Sequence, residues 1–496
     1  MAVSFNLIPQ GILTPGIYTE FDTSRAQQGP SIQPYKVLML GQSLATGTKG
    51  TNTLSQVTST SQAKSFYGRG SMLAAMCEAF FNENKINPLW VWNVADAAGA
   101  VKAKGTITVG VGGDPAVATT ETPLIYIIDG VRISVPVEPG DTANGIATAI
   151  AAAINADPEV EVTAAATTNV VTLTARHGGE VANGYHLSRD ESAPLPGGVT
   201  SSTAGIGTGV RGATAGTKNP VTTDGIAAIG EETFNIICSP YLDVGNMGKW
   251  DKEMIDRWGP LRQNDGQIVS ARRGTVTAQT TYMGTLNSEQ ITVIDCLGPS
   301  GPHKWSANLA GVLARELQAD PGRPMQSVPL RAILSPDDSE QRTQREANLL
   351  LAAGMSTTTV NGGITSLQRI RTTRKTDALG EADTALADLN SKAALSYIRF
   401  DFRRRFIQKF SRHKISDDGV KFGPGQSVIT PLLAKSEILA LFEDWQELGL
   451  VEGIAQFEND LLVERSATDP NRLDIRMPPD LINQLRVTAA QIQFLL

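Results

Sequence analysis

YKVLMLG (residues 35–41), SMLAAMCEAFFNEN (71–84) and NPLWVWNV (87–94) decide the fold of this chain. The first and third are short apolar runs with the look of buried strands, and the second is long enough for a helix between them. The same alternation resumes after residue 223. TFNIICSPYL is a strand and KWDKEMIDRWG a helix; GQIVSARRG and EQITVIDCLG are further strands with a helix near 275–287 between them, and a helix over 304–318 closes the series. Strands alternating with helices predict an α/β core, a mostly parallel sheet with helices on both faces.

A sharp change of composition interrupts this core. All six Trp, all 14 Phe and all three Cys lie outside residues 97–222, where Tyr126 and Tyr185 are the sole aromatics. The stretch reads as β-branched runs around one Ala/Ile helix, TANGIATAIAAAINA. Asp129-Gly130 between LIYII and VRISV is a hairpin turn, and Asp141 or Thr142 is placed to cap the helix. Seven glycines within 197–216 suit a return connection. Residues 97–222 are therefore expected to be an inserted β-rich outer domain, flanked by core segments 31–96 and 223–355.

The C-terminal part changes character again. MSTTTVNGGITSLQRIRTTR predicts a hairpin with its turn at Asn361-Gly362-Gly363. Helices are expected from about Asp383 to Ser411 and from Pro431 to Leu448. GIAQFENDLLVE, RLDIRM and LRVTAAQIQFLL read as closing strands, so residues 356–484 form an α+β domain ending in sheet. In the last strand Ile492, Phe494 and Leu496 share one face. A shift of phase at Ala489-Ala490 suggests a bulge.

Composition excludes several classes. Charged residues are 19% and hydrophobic ones 41%, ordinary for a folded protein. A net charge of −7 offers no global attraction to nucleic acid or anionic membrane. The opening MAVSFNLIPQGILTPG lacks a basic region and a long apolar run, so a secretory signal is not expected. No window approaches the ~18 uncharged apolar residues of a membrane span. Cys77, Cys238 and Cys296 are widely separated, which argues against a disulfide framework or a zinc site.

No catalytic set emerges. GQSLATGTKG follows a strand like a phosphate loop, but Gly41 and Gly47 are separated by five residues, Thr48 intervenes before Lys49, and Gly50 follows it. His177, His186, His303 and His413 form no ligand pair, and His303 is expected at the surface or in a helix cap. Ser239 in CSPYLD lacks an esterase elbow and reads as a buried strand end. Asp337-Asp338 and Asp417-Asp418 lie in turn-like contexts.

One charge feature stands out. LSYIRFDFRRRFIQKFSRHK (395–414) holds seven Lys or Arg against one Asp. On a helix Ile398, Phe402, Phe406 and Phe410 form an apolar stripe, with Arg399, Arg403, Arg404, Arg405 and Lys409 around it. Nucleic acid and a merely solvated face are alternatives. The local field favours a contact surface for an acidic protein partner.

FNLIPQGILTPGIYTEFDTSRA, PYKVLMLGQ, PHKWSANLAGVLARELQADPGRP and LINQLRVTAAQIQFLL together resemble contractile phage tail sheath proteins, most closely the Mu-like branch. The order and spacing of these pieces carry the resemblance, and Ile17 stands where many sheaths have Val. The resemblance implies a structural subunit, not an enzyme, without cofactor or metal, that stacks as hexameric rings around a tail tube. It contracts on a signal from the baseplate and drives the tube through the bacterial envelope. Implied partners are other copies, the tube protein, and baseplate and tail terminator proteins, with no direct nucleic acid and no membrane insertion. The implied setting is the virion tail, assembled in the host bacterial cytoplasm. An N-terminal arm (1–30), with Gly16, Ile17, Tyr18, Thr19 and Glu20, and a C-terminal arm (485–496), with Val487, Ile492, Phe494 and Leu496, would exchange strands between subunits. The basic helix would meet the tube. Alternatives are a nucleotide-binding α/β enzyme using the Gly41–Gly50 loop, or the sheath of a phage-like injection system.

Overall fold

The computed structural model describes residues 32–112, 117–207, 213–423 and 425–494. They fall into two compact units. The larger runs from Pro34 to Tyr397 and regains the chain at Asn483; the other contains Ile398–Ile482.

The larger unit opens with β1 (Val37–Gln42), β2 (Thr53–Val57), helices α1 (Thr60–Tyr67) and α2 (Met72–Glu83), and β3 (Leu89–Val94). All six residues of β1 are buried, as a strand covered on both faces requires. Ser71 caps α2 through a bond from Ala74 N–H. β2 and α1 escaped the sequence reading: TLSQV is a short antiparallel edge strand on β3, too polar to register as a core run.

The insert follows: β4 (Lys102–Val111), β5 (Leu124–Ile128), β6 (Val131–Val135), α3 (Ala143–Ala156), β7 (Val162–Thr167), β8 (Val170–Gly178), β9 (Leu187–Arg189) and β10 (Val199–Ala204). It holds a four-stranded sheet, β10-β4-β8-β7, and a three-stranded one, β6-β5-β9. Asp129 and Gly130 take φ of 48° and 85°, the left-handed pair of the expected tight hairpin. Thr142, rather than Asp141, caps α3. Asn155 on α3 donates to Ala164 O and accepts from Ala164 N, closing part of the free edge of β7.

The core then resumes with α4 (Asp224–Ile229), β11 (Ile236–Cys238), α5 (Val244–Trp258), β12 (Gln267–Arg272), α6 (Val276–Met283), β13 (Ile291–Asp295), α7 (Pro302–Ala319) and α8 (Gln344–Ala352). The six-stranded sheet has the order β13-β12-β11-β1-β3-β2, parallel except at β2. The chain leaves central β1 towards β3 and later moves the other way through β11, β12 and β13. Right-handed crossovers then put helices on opposite faces. α7 is buried along most of its length, Trp305 to Ala314 included.

β14 (Thr357–Asn361) and β15 (Ile364–Arg369) form the expected hairpin, with Gly362 and Gly363 at φ 59° and 78°. α9 (Leu389–Phe410) starts later than expected from about Asp383, because Asp383 is held in a turn by Ala385 N–H and Arg374. Within the larger unit Lys392 roots this helix. Its ammonium donates to Gly266 O at 2.8 Å, Gln267 Oε1 at 2.7 Å and Gln290 Oε1 at 2.5 Å, at the amino ends of β12 and β13.

The smaller unit carries the rest of α9, β16 (Lys414–Ile415), β17 (Val428–Ile429), α10 (Pro431–Glu447), β18 (Val451–Glu452), α11 (Ile454–Asp460), β19 (Leu462–Arg465), β20 (Leu473–Arg476) and β21 (Asp480–Leu481). The expected strand over GIAQFENDLLVE is corrected in its first half. Ile454, Phe457 and Leu461 also fit helical spacing, and Phe457 stacks on Phe442 of α10 at 4.1 Å. Among the described residues no strand follows Leu481, so the expected terminal strand is not formed within the single chain.

Candidate assembly surfaces

The C-terminal segment is fastened at its base and bare beyond it. Arg486 pairs with Asp388 at 3.1 Å, and Gln484 Nε2 donates to Gly322 O at 3.3 Å. Past this anchor Val487 is 81%, Ile492 88% and Phe494 79% exposed. Leu496 and the N-terminal Gly16, Ile17, Tyr18, Thr19 and Glu20 lie outside the described residues.

The basic stripe of α9 is largely neutralised within its own unit. Arg405 is buried, bonded to Glu437 at 3.2 Å and to Asp444; Lys409 reaches Glu437 at 2.7 Å; Arg404 pairs with Asp401 at 3.1 Å. Asp401 also accepts from Trp445 Nε1. Arg405 therefore acts as a strut between α9 and α10, while Arg403 is exposed. Arg399 is half-buried and has its own interaction. Phe402, Phe406 and Phe410 pack in sequence with tilted rings, centroids 4.4 and 5.2 Å apart, each half-buried.

The Gly41–Gly50 loop has no phosphate cradle. Leu44, Thr48 and Lys49 donate their N–H groups to Tyr67, Ser65 and Phe66 carbonyls at the end of α1. A side chain on Gly47 would meet Phe66 O at 2.3 Å, so this glycine serves close packing. The carboxyl end of the sheet, where open α/β folds hold ligands, is in contact with the insert. Gln42 Nε2 donates to Gly178 O at 2.8 Å and Asp96 at 2.6 Å, and Met72 N–H at the start of α2 donates to His177 Nε2 at 2.9 Å. Burial pushes the Asp96 carboxyl up, but bonds from His177, Gly178 N–H and Gln42 outweigh it and hold it below its usual range.

A second buried junction corrects the reading of His303. It is fully buried in the first turn of α7, with Nε2 3.0 Å from Glu161 and 3.8 Å from Asp129, both in the insert. Tyr185 O–H donates to Glu161 at 2.9 Å. The ligand atoms of Asp129, Glu161 and His303 lie within 4.8 Å of one another, close enough to share an ion. The cation there is Lys304, 2.7 Å from Asp129 Oδ2 and 3.0 Å from Glu161 Oε1. Burial opposes charge on Glu161, yet His303 and Lys304 hold its carboxyl well below the usual range; Asp129 and Glu161 in turn hold the Lys304 ammonium above its own, against burial. A His-Lys pair at the start of a helix that is buried along most of its length is the signal sequence reasoning passed over. This cluster locks the insert to the core and has no reacting centre.

Comparison with known proteins gives the family. Residues 215–373 match the phage tail sheath protein central domain and residues 381–495 the phage tail sheath C-terminal domain. The Mu-like prophage FluMu tail sheath protein of Haemophilus influenzae is 34% identical over 500 residues, covering 100% of both chains. Looser overlays include the sheath tail proteins of Desulfitobacterium hafniense (14% identity, 94% of this chain and 100% of that one, TM-score 0.47) and Listeria innocua (12%, 92% and 93%, TM-score 0.49). With an end-to-end relative at this identity, the chain belongs to the phage tail sheath proteins, structural subunits of a contractile tail and not enzymes.

Proposed function

We propose that the chain polymerises as stacked hexameric rings around a tail tube and is joined to neighbouring copies by its terminal arms, 1–30 and 485–496. The C-terminal arm adds a strand to another copy, and contraction after a baseplate signal drives the tube through the bacterial envelope. Assembly takes place in the host cytoplasm. One observation carries this reading: the segment after Arg486 leaves Val487, Ile492 and Phe494 bare although its base is pinned. Ordering about a dozen residues costs ~12–24 kcal/mol of backbone entropy, more than those side chains return on burial at ~1.5–3 kcal/mol each. Main-chain pairing with another sheet supplies the difference. The tube-facing surface centres on Arg403, since Arg405, Arg404 and Lys409 are engaged within the subunit.

Deleting residues 485–496 tests the proposal. The truncated protein is expected to stay folded and monomeric, with no striated tubes in negative-stain micrographs under conditions where the full chain forms them. Normal tubes from the truncated chain would refute the arm's role.

A further inference from the structure

The segment Thr376–Ala382, TDALGEA, is a closed turn with a polar interior and a leucine at its tip. Asp377 N–H donates to Glu381 O at 2.9 Å, and Asp377 Oδ1 accepts from Leu379 N–H and Glu381 N–H, each at 2.9 Å. Asn287 clamps the base: Nδ2 donates to Thr376 O and Oγ1 at 3.0 Å, and Oδ1 accepts from Lys375 N–H at 2.7 Å. Gly380, at φ 86°, lets the turn close. The backbone is held on every side, yet Leu379 is 88% exposed. A locked apolar tip has already lost the freedom that binding would otherwise cost it.

The rim of this tip is acidic. Asp377 is spent on backbone N–H groups, and Glu381 has no ion pair among the described residues. Leu261, comparably bare, differs: Arg262 beside it is neutralised by Glu231, Glu253 and Asp256. A surface that matches it is Val420-Lys421-Phe422 in the smaller unit. Val420 is 52% and Phe422 45% exposed, and Lys421 between them is exposed with no ion pair among the described residues. The nearby carboxylates are occupied, Asp417 by Arg465 and Asp418 by Leu432 N–H.

We propose that the Leu379 turn of one copy docks on the Val420–Phe422 segment of a second copy, with Leu379 between the two apolar side chains and Glu381 against Lys421. The contact joins two different patches, so it propagates into a ring or a helical stack rather than closing a dimer. It rests on the sheath reading and adds a contact separate from the arms.

Leu379→Asp tests it. Because Leu379 is largely exposed within its own chain, the whole thermal unfolding curve is expected to superimpose on that of the wild type. The critical concentration for tube formation, read by sedimentation, rises about tenfold or more. Glu381→Lys weakens assembly, and adding Lys421→Glu restores it. Wild-type assembly by Leu379→Asp, or a double charge reversal no better than the single ones, overturns the proposal while leaving the sheath reading intact. A wild-type chain that forms no tubes under any assembly condition overturns both.

Discussion

Replacing Lys304 with methionine removes the cation that Asp129 and Glu161 share at the junction between insert and core. Its ammonium lies 2.7 Å from Asp129 Oδ2 and 3.0 Å from Glu161 Oε1, and it also donates to Asp129 O. Both carboxylates are almost wholly buried. Without Lys304 two like charges remain near each other beside His303, and breaking a buried pair from one side costs about 3–5 kcal/mol. At ~1.4 kcal/mol per factor of ten, exchange protection of the amide hydrogens at this junction, Asp129 N–H among them, should fall roughly 100- to 3,000-fold. Hydrogen exchange read by mass spectrometry suits a chain with separate units, for which a single unfolding midpoint is ill defined. Adding Glu161→Gln removes one stranded charge and should restore much of the protection. The depressed Glu161 carboxyl contributes stability above its unfolded value of about 4.3, lost as pH falls through the folded one; the raised Lys304 ammonium contributes below about 10.4, lost as pH climbs through its folded value. The difference between wild type and variant should therefore be largest between about pH 5 and 10. A loss of protection below tenfold near pH 7, or no recovery in the double variant, would refute this account of the junction.

Two further outcomes follow from the same reasoning. Lys392→Met removes the donor shared by Gly266 O, Gln267 and Gln290, and should lower the stability of the larger unit by roughly 1.5–3 kcal/mol, seen as an earlier urea transition in the fluorescence of Trp258, which the ammonium overlies at 5.1 Å. Arg403→Glu should leave the stability of the smaller unit within ~0.5 kcal/mol but reduce binding to isolated tail tubes at low salt, with the difference shrinking as salt rises; unchanged co-sedimentation at every salt concentration would place the tube contact elsewhere.

Much of the fold was legible because its signals are local. VLML and LWVWNV are apolar on both faces, as central parallel strands must be, and Asp129-Gly130 and Asn361-Gly362-Gly363 are turns set by backbone sterics alone. The errors arise where the deciding partner is remote in sequence. His303 looks peripheral after Gly298, Gly301 and Pro302, but its partner Glu161 lies 142 positions away. Arg405 reads as an open charge until Glu437 and Asp444 of α10 meet it. IAQFEND was misjudged because seven residues satisfy two periodicities, and stacking of Phe457 on Phe442 selects the helix. The assembly surfaces were legible only as apolar tails and basic stripes, since the partner that would complete them is another molecule.

The way the insert enters the core constrains what a shorter relative could look like. Excising residues 97–222 would strand Met72 N–H without its histidine acceptor, the Gln42 amide without Gly178 O, Arg273 without Gly184 O, and Lys304 without both carboxylates. Gln42 would keep Asp96 and Arg273 would keep Ser300 O, whereas Lys304 would lose both carboxylates, so a spliced loop of neutral residues would inherit an uncompensated ammonium. Position 304 loses most, and it is where a sheath protein built without this insert is expected to differ.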